Sequence, residues 1–137
     1  MVNEHLANSL KSKPSPIYSQ KFANRITTGN TTDDMAKIAN VDWIIEVVVE
    51  RLDIKKLVFE QIEKFRKPGT LVTSNTSGIP IHFMSEGRSE DFQQHFCGTH
   101  FFNPARYLKL FEIIPGPKTS TEAVSYTHPT LPTKRIV

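Results

Sequence analysis

The chain has 137 residues, of which 38% are apolar and 23% charged, a composition typical of one soluble globular domain. No stretch approaches the ~18–20 apolar residues of a membrane span, and residues 1–5 lack the features of a signal peptide. The net charge of +3 falls to +1 without the last 14 residues, and the basic residues are interspersed with acidic ones, which argues against nucleic-acid binding. The single cysteine, Cys97, excludes an internal disulfide and is typical of a reducing compartment, so we expect a cytoplasmic protein.

The first part of the chain is polar and weakly patterned. We predict the end of a helix in residues 3–11, where Leu6 and Leu10 have helical spacing. Residues 25–30 are β-prone and end in a turn, which predicts a short strand. A short helix is predicted in residues 34–39, because polar and acidic residues that favour a helix N-terminus come directly before it.

The strongest pattern is a strand, a helix and a second strand in succession. Residues 43–49 are apolar except for Glu46 and mostly β-branched, which predicts a strand buried on both faces. Residues 70–74 form the second strand, so the three elements predict a βαβ unit with parallel strands. The helix is predicted in residues 53–65, and the apolar side chains of its buried face are Ile54, Leu57, Val58, Ile62 and Phe65.

Two further strands are predicted in residues 96–102 and 108–114, with a helical turn in residues 81–87. The fold class is therefore α/β with a mostly parallel sheet. Residues 124–137 have no periodicity and no acidic residue, and they resemble the translation of a sequencing-library adapter with a mismatch at Pro129. We expect the folded part in residues 1–123 and a non-native or disordered tail in residues 124–137.

Ligands of an open α/β sheet bind beyond the carboxyl ends of its strands. Three such ends are polar here: Glu50 with Lys55, the segment 74–78, and His100 with Asn103. Because each follows a buried-looking strand, we expect all three to border one crevice. Ordinary turn chemistry also explains the segment 74–78, and a helix-initiating acid also explains Glu50.

A histidine and a glutamate twelve residues apart form the most specific candidate pair. If the last two strands pair as a hairpin centred on residue 106, His100 lies directly opposite Glu112 on the same face. A carboxylate beside an imidazole fixes its tautomer and favours its protonated form, which suits a general base that takes a proton from a hydroxyl. No metal site is expected from His95, Cys97 and His100, since His100 points to the opposite face of the strand and no further ligands follow. We expect Cys97 to be a small core residue.

Three motifs resemble one known family. The run 43–50 (WIIEVVVE), the segment 74–77 (SNTS) and the run 98–104 (GTHFFNP) occur in the order and spacing of the NAD-binding domain of L-3-hydroxyacyl-CoA dehydrogenases. The long bacterial enzymes of fatty-acid β-oxidation are the most similar members. The resemblance covers roughly residues 20–120 and implies a partial Rossmann-like fold, NAD as cofactor and an acyl-CoA substrate.

The resemblance implies a reaction and roles for named residues. The 3-hydroxyl of a (3S)-hydroxyacyl-CoA is oxidised to a ketone, with His100 as base, Glu112 as its supporting carboxylate and Ser77 bonded to the substrate oxygen. The positions that match NAD contacts in the family are Val47, Glu50, Lys55, Asn75 and Asn103.

The chain also departs from the family. The family begins with a strand and a Gly-x-Gly-x-x-Gly turn that holds the pyrophosphate. The six glycines of this chain, at 29, 69, 78, 87, 98 and 116, form no such turn. The acid that holds the adenine ribose and the helical C-terminal domain, which covers the acyl-CoA and forms the dimer, are not found either. We therefore expect a fragment whose sheet lacks its first strands, which is inactive alone, from a homodimeric parent enzyme.

Two other functions stay open from the sequence. A non-catalytic α/β module that binds a CoA ester or a partner chain would fold cooperatively as it stands, whereas a fragment would expose a sheet edge and aggregate. A related 3-hydroxybutyryl-CoA dehydrogenase, or a reductase that runs the reverse reaction, would share all the residues named above.

Overall fold

The computed structural model describes residues 2–108 and 110–127, in which helices and strands alternate after a mainly helical amino-terminal part. The α-helices are α1 (Val2–Lys11), α2 (Leu52–Phe65), α3 (Ile81–Ser85), α4 (Glu90–Gln94) and α5 (Thr121–Thr127). The strands are β1 (Trp43–Glu46), β2 (Leu71–Ser74), β3 (Phe96–Phe101) and β4 (Phe111–Pro115). Two 3₁₀ helices, Gln20–Arg25 and Met35–Asn40, come before β1.

The described strands form one sheet in the order β1-β2-β3-β4. The first three strands are parallel, and β4 returns antiparallel to β3. The helix α2 connects the parallel strands β1 and β2, as the βαβ pattern predicts. The prediction of an α/β fold with a mostly parallel sheet is therefore confirmed.

The hydrophobic core lies between one face of the sheet and the helices α2, α3 and α4. Phe59 of α2 packs edge-on against Phe92 and Phe96, with ring centroids 5.8 and 5.1 Å away. Each such side chain contributes about 1.5–3 kcal/mol when it is fully buried. The buried residues of this core are Phe59, Ile62, Val72, Ile81, Met84, Phe92 and Phe96.

Strand β1 is shorter and more exposed than the sequence predicts. It ends at Glu46 rather than at residue 49, and directly after it the backbone N–H of Val48 donates a hydrogen bond to the Glu46 carboxylate instead of to a neighbouring strand. Within the described residues, β1 has a neighbouring strand on one side only. Ile45 is 42% exposed and Val47 is 67% exposed, so the prediction of a strand buried on both faces is wrong.

The buried face of α2 also differs from the predicted one. Leu57 is 64% exposed, whereas Lys55 and Phe59 are fully buried. On this face the Lys55 ammonium forms an ion pair with the buried carboxylate of Glu46, and Phe59 packs against Phe92 and Phe96. The spacing of apolar residues treats every charged residue as exposed, so it could not place Lys55 in the core and placed Leu57 there instead.

The remaining predictions have mixed outcomes. The helices predicted in residues 3–11 and 81–87 are present as α1 and α3, and residues 35–40 form a 3₁₀ helix. The strand predicted in residues 25–30 is wrong, since the side chain of Asn30 accepts the N–H groups of Thr32 and Asp33 and makes a turn there.

The last two strands are present, and one of them is shorter than predicted. Strand β3 agrees with its prediction, while β4 begins at Phe111 rather than at residue 108. The helix α4 was not predicted; Ser89 caps it by accepting the N–H of Phe92. Of the tail 124–137, residues 124–127 lie in α5, and residues 128–137 lie outside the described residues.

Candidate functional site

The carboxyl ends of β1, β2 and β3 lie at one edge of the sheet because these strands are parallel. Asn75, directly after β2, connects all three. Its backbone N–H donates to the carbonyl of Glu46 at 2.9 Å, and its side-chain Oδ1 accepts the N–H of Phe101 at 3.2 Å. The polar residues that follow the three strands therefore border one edge, as the sequence predicts. We call this edge the carboxyl edge.

Glu50 connects the loop after β1 to the loop after β2. One carboxylate oxygen, Oε1, accepts hydrogen bonds from the Thr76 hydroxyl and from the N–H groups of Ser77 and Gly78, the last two at 3.2 and 3.0 Å. Partial burial opposes ionisation of Glu50, but the Thr76 hydroxyl, the Gly78 N–H and the Lys55 ammonium outweigh it and lower its pKa to about 2. Glu50 is therefore an anion at neutral pH that is bonded to residues 76–78 and not simply a helix-initiating acid.

Lys55 lies beneath this edge in a buried ion pair. Its Nζ atom is 2.9 and 3.0 Å from the two carboxylate oxygens of Glu46, and the two side chains are 1% and 0% exposed. The hydroxyl of Ser74 donates to Glu46 Oε2 at 2.5 Å, and Glu50 Oε2 lies 3.4 Å from the ammonium. Sequence reasoning missed Glu46; the one acid within an apolar strand, followed by a lysine in the next helix, is the pattern that indicates it.

His100 and Glu112 lie opposite each other in the β3–β4 hairpin, as predicted from their spacing. His100 Nδ1 is 2.9 Å from Glu112 Oε2. In the neutral ring, a proton on Nδ1 donates to this carboxylate and leaves Nε2 as the acceptor. The His100 side chain is 30% exposed.

A small cavity lies beside the loop after β2, on the face of the sheet that carries this pair, and its lining includes neither His100 nor Glu112. Gly98 and His100 share that face with Ile114 and Glu112, their partners across the hairpin. Gly98 allows Ile81 to approach the strand closely, since an added Cβ would lie 2.6 Å from Ile81 Cδ1. The cavity has a volume of about 200 Å³ and is lined by Ile114 and residues 76–81.

The remaining predicted contact residues lie near the same edge. Ser77 lines the cavity and is exposed. Val47 and Asn103 come one and two residues after the ends of β1 and β3, and both are exposed. A larger cavity of about 440 Å³ is lined by residues 27–41 and by none of the predicted site residues, so we place the site at the carboxyl edge.

Metal ligation has no support among the described residues, in which no three His, Cys, Asp or Glu residues form a possible site. His95 Nδ1 instead contacts the backbone carbonyl of Asp91 at 2.8 Å. Cys97 is fully buried, as predicted for a core residue, and burial raises the pKa of its thiol to about 11. Among residues 2–108 and 110–127, no helix is long and apolar enough to span a membrane.

Comparison with known sequences identifies similar proteins. The profile of the family described as "3-hydroxyacyl-CoA dehydrogenase, NAD binding domain" matches residues 2–132. A protein of Bacillus subtilis named "Probable 3-hydroxyacyl-CoA dehydrogenase" is 55% identical over 117 residues, which are 85% of this chain and 15% of that protein. A protein of Deinococcus radiodurans with the same name is 47% identical over 116 residues, which are 85% of this chain and 34% of that protein.

Comparison with solved structures agrees. The structure of 3-hydroxybutyryl-CoA dehydrogenase from Escherichia coli is 29% identical in sequence and has a TM-score of 0.68. The match covers 91% of this chain and 26% of that one. Similar structures are Rossmann-fold dehydrogenases, which confirms the expected Rossmann-like class. The chain thus spans about a third or less of the length of each of these proteins.

Proposed function

The chain belongs to the NAD-binding domain of the 3-hydroxyacyl-CoA dehydrogenase family, whose members are NAD-dependent oxidoreductases, and we propose that it works within an enzyme that oxidises (3S)-hydroxyacyl-CoA to 3-oxoacyl-CoA in fatty-acid β-oxidation. The observation that carries this proposal is the His100–Glu112 pair at 2.9 Å, whose imidazole side chain is partly exposed. A hydroxyl oxidation needs a base of this kind at the oxygen from which the proton leaves.

The chemistry assigned to the chain is the removal of one proton. His100 Nε2 accepts the proton of the substrate 3-hydroxyl, and the Glu112 carboxylate stabilises the imidazolium that forms and keeps the ring in its orientation. NAD bound at the carboxyl edge would supply the acceptor for the hydride of C3. The hydroxyl of Ser77, which is exposed at the cavity, donates a hydrogen bond to the substrate oxygen and aligns C3 for hydride transfer.

The carboxyl edge fits the ribose and nicotinamide part of NAD. The Glu50 carboxylate is ionised and 42% exposed, so its oxygen Oε2 can accept hydrogen bonds from ribose hydroxyls. The Lys55 ammonium lies 3.4 Å from that oxygen and contributes positive charge beneath it. Asn75 uses its side-chain oxygen on Phe101 N–H, which leaves its amide NH₂ as a donor for the ligand. We assign the outer contacts to Val47 and Asn103 on their exposed positions beside the strand ends.

We also propose how the chain is organised within a longer enzyme. Residues 1–123 supply the later part of the NAD-binding domain, and we interpret residues 124–137 as a tail, although the family profile extends to residue 132. The chain matches 15% and 34% of two relatives, so pyrophosphate binding, the acyl-CoA cover and the homodimer contacts are assigned to other parts of such a protein. A cytoplasmic location suits the one cysteine, Cys97, buried as a thiol.

A chimeric enzyme tests the proposed function. The 117 matched residues of this chain replace their counterparts in the Bacillus subtilis relative, which supplies the rest of the enzyme. We expect the chimera to form NADH from (3S)-3-hydroxybutyryl-CoA, followed at 340 nm, and not from the (3R) isomer. The isolated 137-residue chain should form none.

Two results would contradict this proposal. A folded chimera that forms no NADH from the (3S) substrate, while the Bacillus relative does so under the same conditions, would show that these residues lack the dehydrogenase chemistry. Equal rates with both isomers would show that the site does not orient C3 as proposed. Size-exclusion chromatography with light scattering shows whether the chimera is folded and whether it is a dimer.

A further inference from the structure

The buried ion pair of Glu46 and Lys55 is an unusual feature for a strand end beside an apolar core. Both side chains are almost fully buried, at 0% and 1% exposure. Taking two charges out of water costs several kcal/mol per ion, and a well-packed apolar pair of similar volume is often equally stable or more stable. Stability alone therefore does not explain why the fold has a carboxylate and an ammonium here.

The hydrogen bonds of this pair are complete and directional. Glu46 Oε1 accepts from the Val48 N–H and from Lys55, and Oε2 accepts from the Ser74 hydroxyl and from Lys55. The short contacts of the ammonium, at 2.9 and 3.0 Å, are both with Glu46. Its contacts with the Val48 carbonyl and with Glu50 Oε2 are longer, at 3.4 Å each. Glu46 therefore holds the ammonium below the carboxyl edge.

The position of Lys55 decides which oxygen of Glu50 is available to a ligand. Oε1 of Glu50 already accepts three donors from residues 76–78. Oε2 faces the Lys55 ammonium at 3.4 Å. If the Glu46 charge were absent, Glu50 would be the one carboxylate within reach of this ammonium. Lys55 would then move onto Oε2 and occupy the acceptor that a ribose hydroxyl needs.

We propose that Glu46 is a positioning residue for the dinucleotide site: it holds the Lys55 ammonium beneath the carboxyl edge, so that Glu50 Oε2 stays open to a ribose hydroxyl of NAD. This inference rests on the proposed function, because it assigns the ligand of Glu50 from it. Glu46 itself touches neither substrate nor cofactor and acts through Lys55.

A double-mutant cycle in the chimeric enzyme tests the coupling. Glu46→Gln should raise the KM for NAD about tenfold, a size usual for the outer partner of a binding group, and should change kcat less than threefold. Lys55→Met should raise the same KM less than Glu46→Gln does, because it removes the positive charge beneath Glu50 but leaves Oε2 open. Glu46→Gln should add nothing in the Lys55→Met background, since Glu46 then has no ammonium to hold. Equal effects of Glu46→Gln in both backgrounds, or a loss confined to kcat, would overturn the proposal.

The control is a partly buried ion pair that Glu63 of α2 forms with Arg88. Glu63 and Arg88 are 3.2 Å apart and about one-fifth exposed, and neither contacts the carboxyl edge. Glu63→Gln removes an ion pair from the same helix, so it should lower stability and leave the KM for NAD unchanged. A similar rise in KM for Glu63→Gln would show that loosening of α2, and not the placement of Lys55, causes the effect.

A measurement on the isolated chain separates this inference from the proposed function. An ammonium that is buried and fully hydrogen-bonded exchanges its protons slowly, so the Lys55 Nζ–H₃ group should give a ¹⁵N–¹H signal in the 137-residue chain. In Glu46→Gln this signal should shift or disappear, and the carboxyl ¹³C signal of Glu50 should shift with it as Lys55 closes on Oε2. An unchanged Glu50 signal in a folded Glu46→Gln chain would overturn the inference even if the chimera is inactive.

Discussion

Gly98 offers a direct test of the packing of α3 against β3, the strand that carries His100. A methyl group built on Gly98 would lie 2.6 Å from Ile81 Cδ1, 3.3 Å from Ile81 Cγ1 and 3.2 Å from Ile114 Cβ. The Ile81 terminal methyl can rotate away, but Cγ1 and the Ile114 Cβ lie close to the added atom as well. Gly98→Ala must therefore move α3 or β4 by a few tenths of an ångström.

The expected cost of Gly98→Ala is about 1–3 kcal/mol, the usual range for an extra methyl group in a packed core. Urea unfolding of the isolated chain, followed by the fluorescence of its one tryptophan, Trp43, measures it. Ile81→Val removes the Cδ1 atom that makes the closest contact. In the Ile81→Val background, which itself costs ~0.5–1.5 kcal/mol, Gly98→Ala should therefore cost less than in the wild type, with a remainder from the contacts with Ile81 Cγ1 and Ile114 Cβ.

Gly78→Ala is the matched control. An added Cβ there has one neighbour within 4 Å, a Glu50 carboxylate oxygen at 3.7 Å, so the free energy of unfolding should change by less than about 0.5 kcal/mol. The reasoning fails if Gly98→Ala costs no more than Gly78→Ala, or if Ile81→Val does not relieve the cost.

Three further predictions follow from exposed or ionised groups. Because the pKa of Glu50 is lowered from 4.5 to about 2, ionised Glu50 stabilises the fold above pH 4.5, and this contribution is lost as the pH falls towards 2. After allowance for the exposure of Glu50, the contribution is about 1–2 kcal/mol. The difference in stability between wild type and Glu50→Gln, measured by urea unfolding at a series of acid pH values, should therefore shrink over that range. Ile45 is an exposed residue of the edge strand β1, and Ile45→Lys should slow aggregation of the isolated chain in light scattering, since a charge on an edge strand blocks pairing with another chain. An unchanged rate would place the aggregation surface elsewhere. The Cys97 thiol, buried and with a pKa of about 11, should not react with a thiol reagent at pH 8 until the chain is unfolded; fast reaction in the folded state would contradict its placement.

Local patterns in the sequence were sufficient for the central features of the fold and of the candidate site. The βαβ unit follows from two apolar runs separated by a helical repeat, since parallel strands need such a crossover. The pairing of His100 with Glu112 follows from a spacing of twelve residues and a short link, because a hairpin fixes which residues lie opposite each other. Both inferences depend on residues that are close in sequence.

The missed features depend on contacts between distant residues. An apolar run cannot show whether its strand has one neighbour or two, and so the exposure of Ile45 and Val47 was not predicted. The burial of Lys55 was missed for the same reason: a lysine enters a core only when a carboxylate is already there, and Glu46 is nine residues away on another element. Lys55 shares the buried face of α2 with Phe59, while Leu57 is exposed.

The central claim is that His100 removes the proton of the substrate hydroxyl, and substitution of this residue in the chimeric enzyme tests it most directly. His100→Gln should lower kcat by about 10²–10⁴, the usual contribution of general acid–base catalysis, with the KM for NAD little changed. His95→Gln is the control, since this histidine contacts the Asp91 carbonyl and none of the site residues, and its kcat should stay near that of the unsubstituted chimera. A kcat of His100→Gln within a few-fold of the unsubstituted chimera would contradict the account.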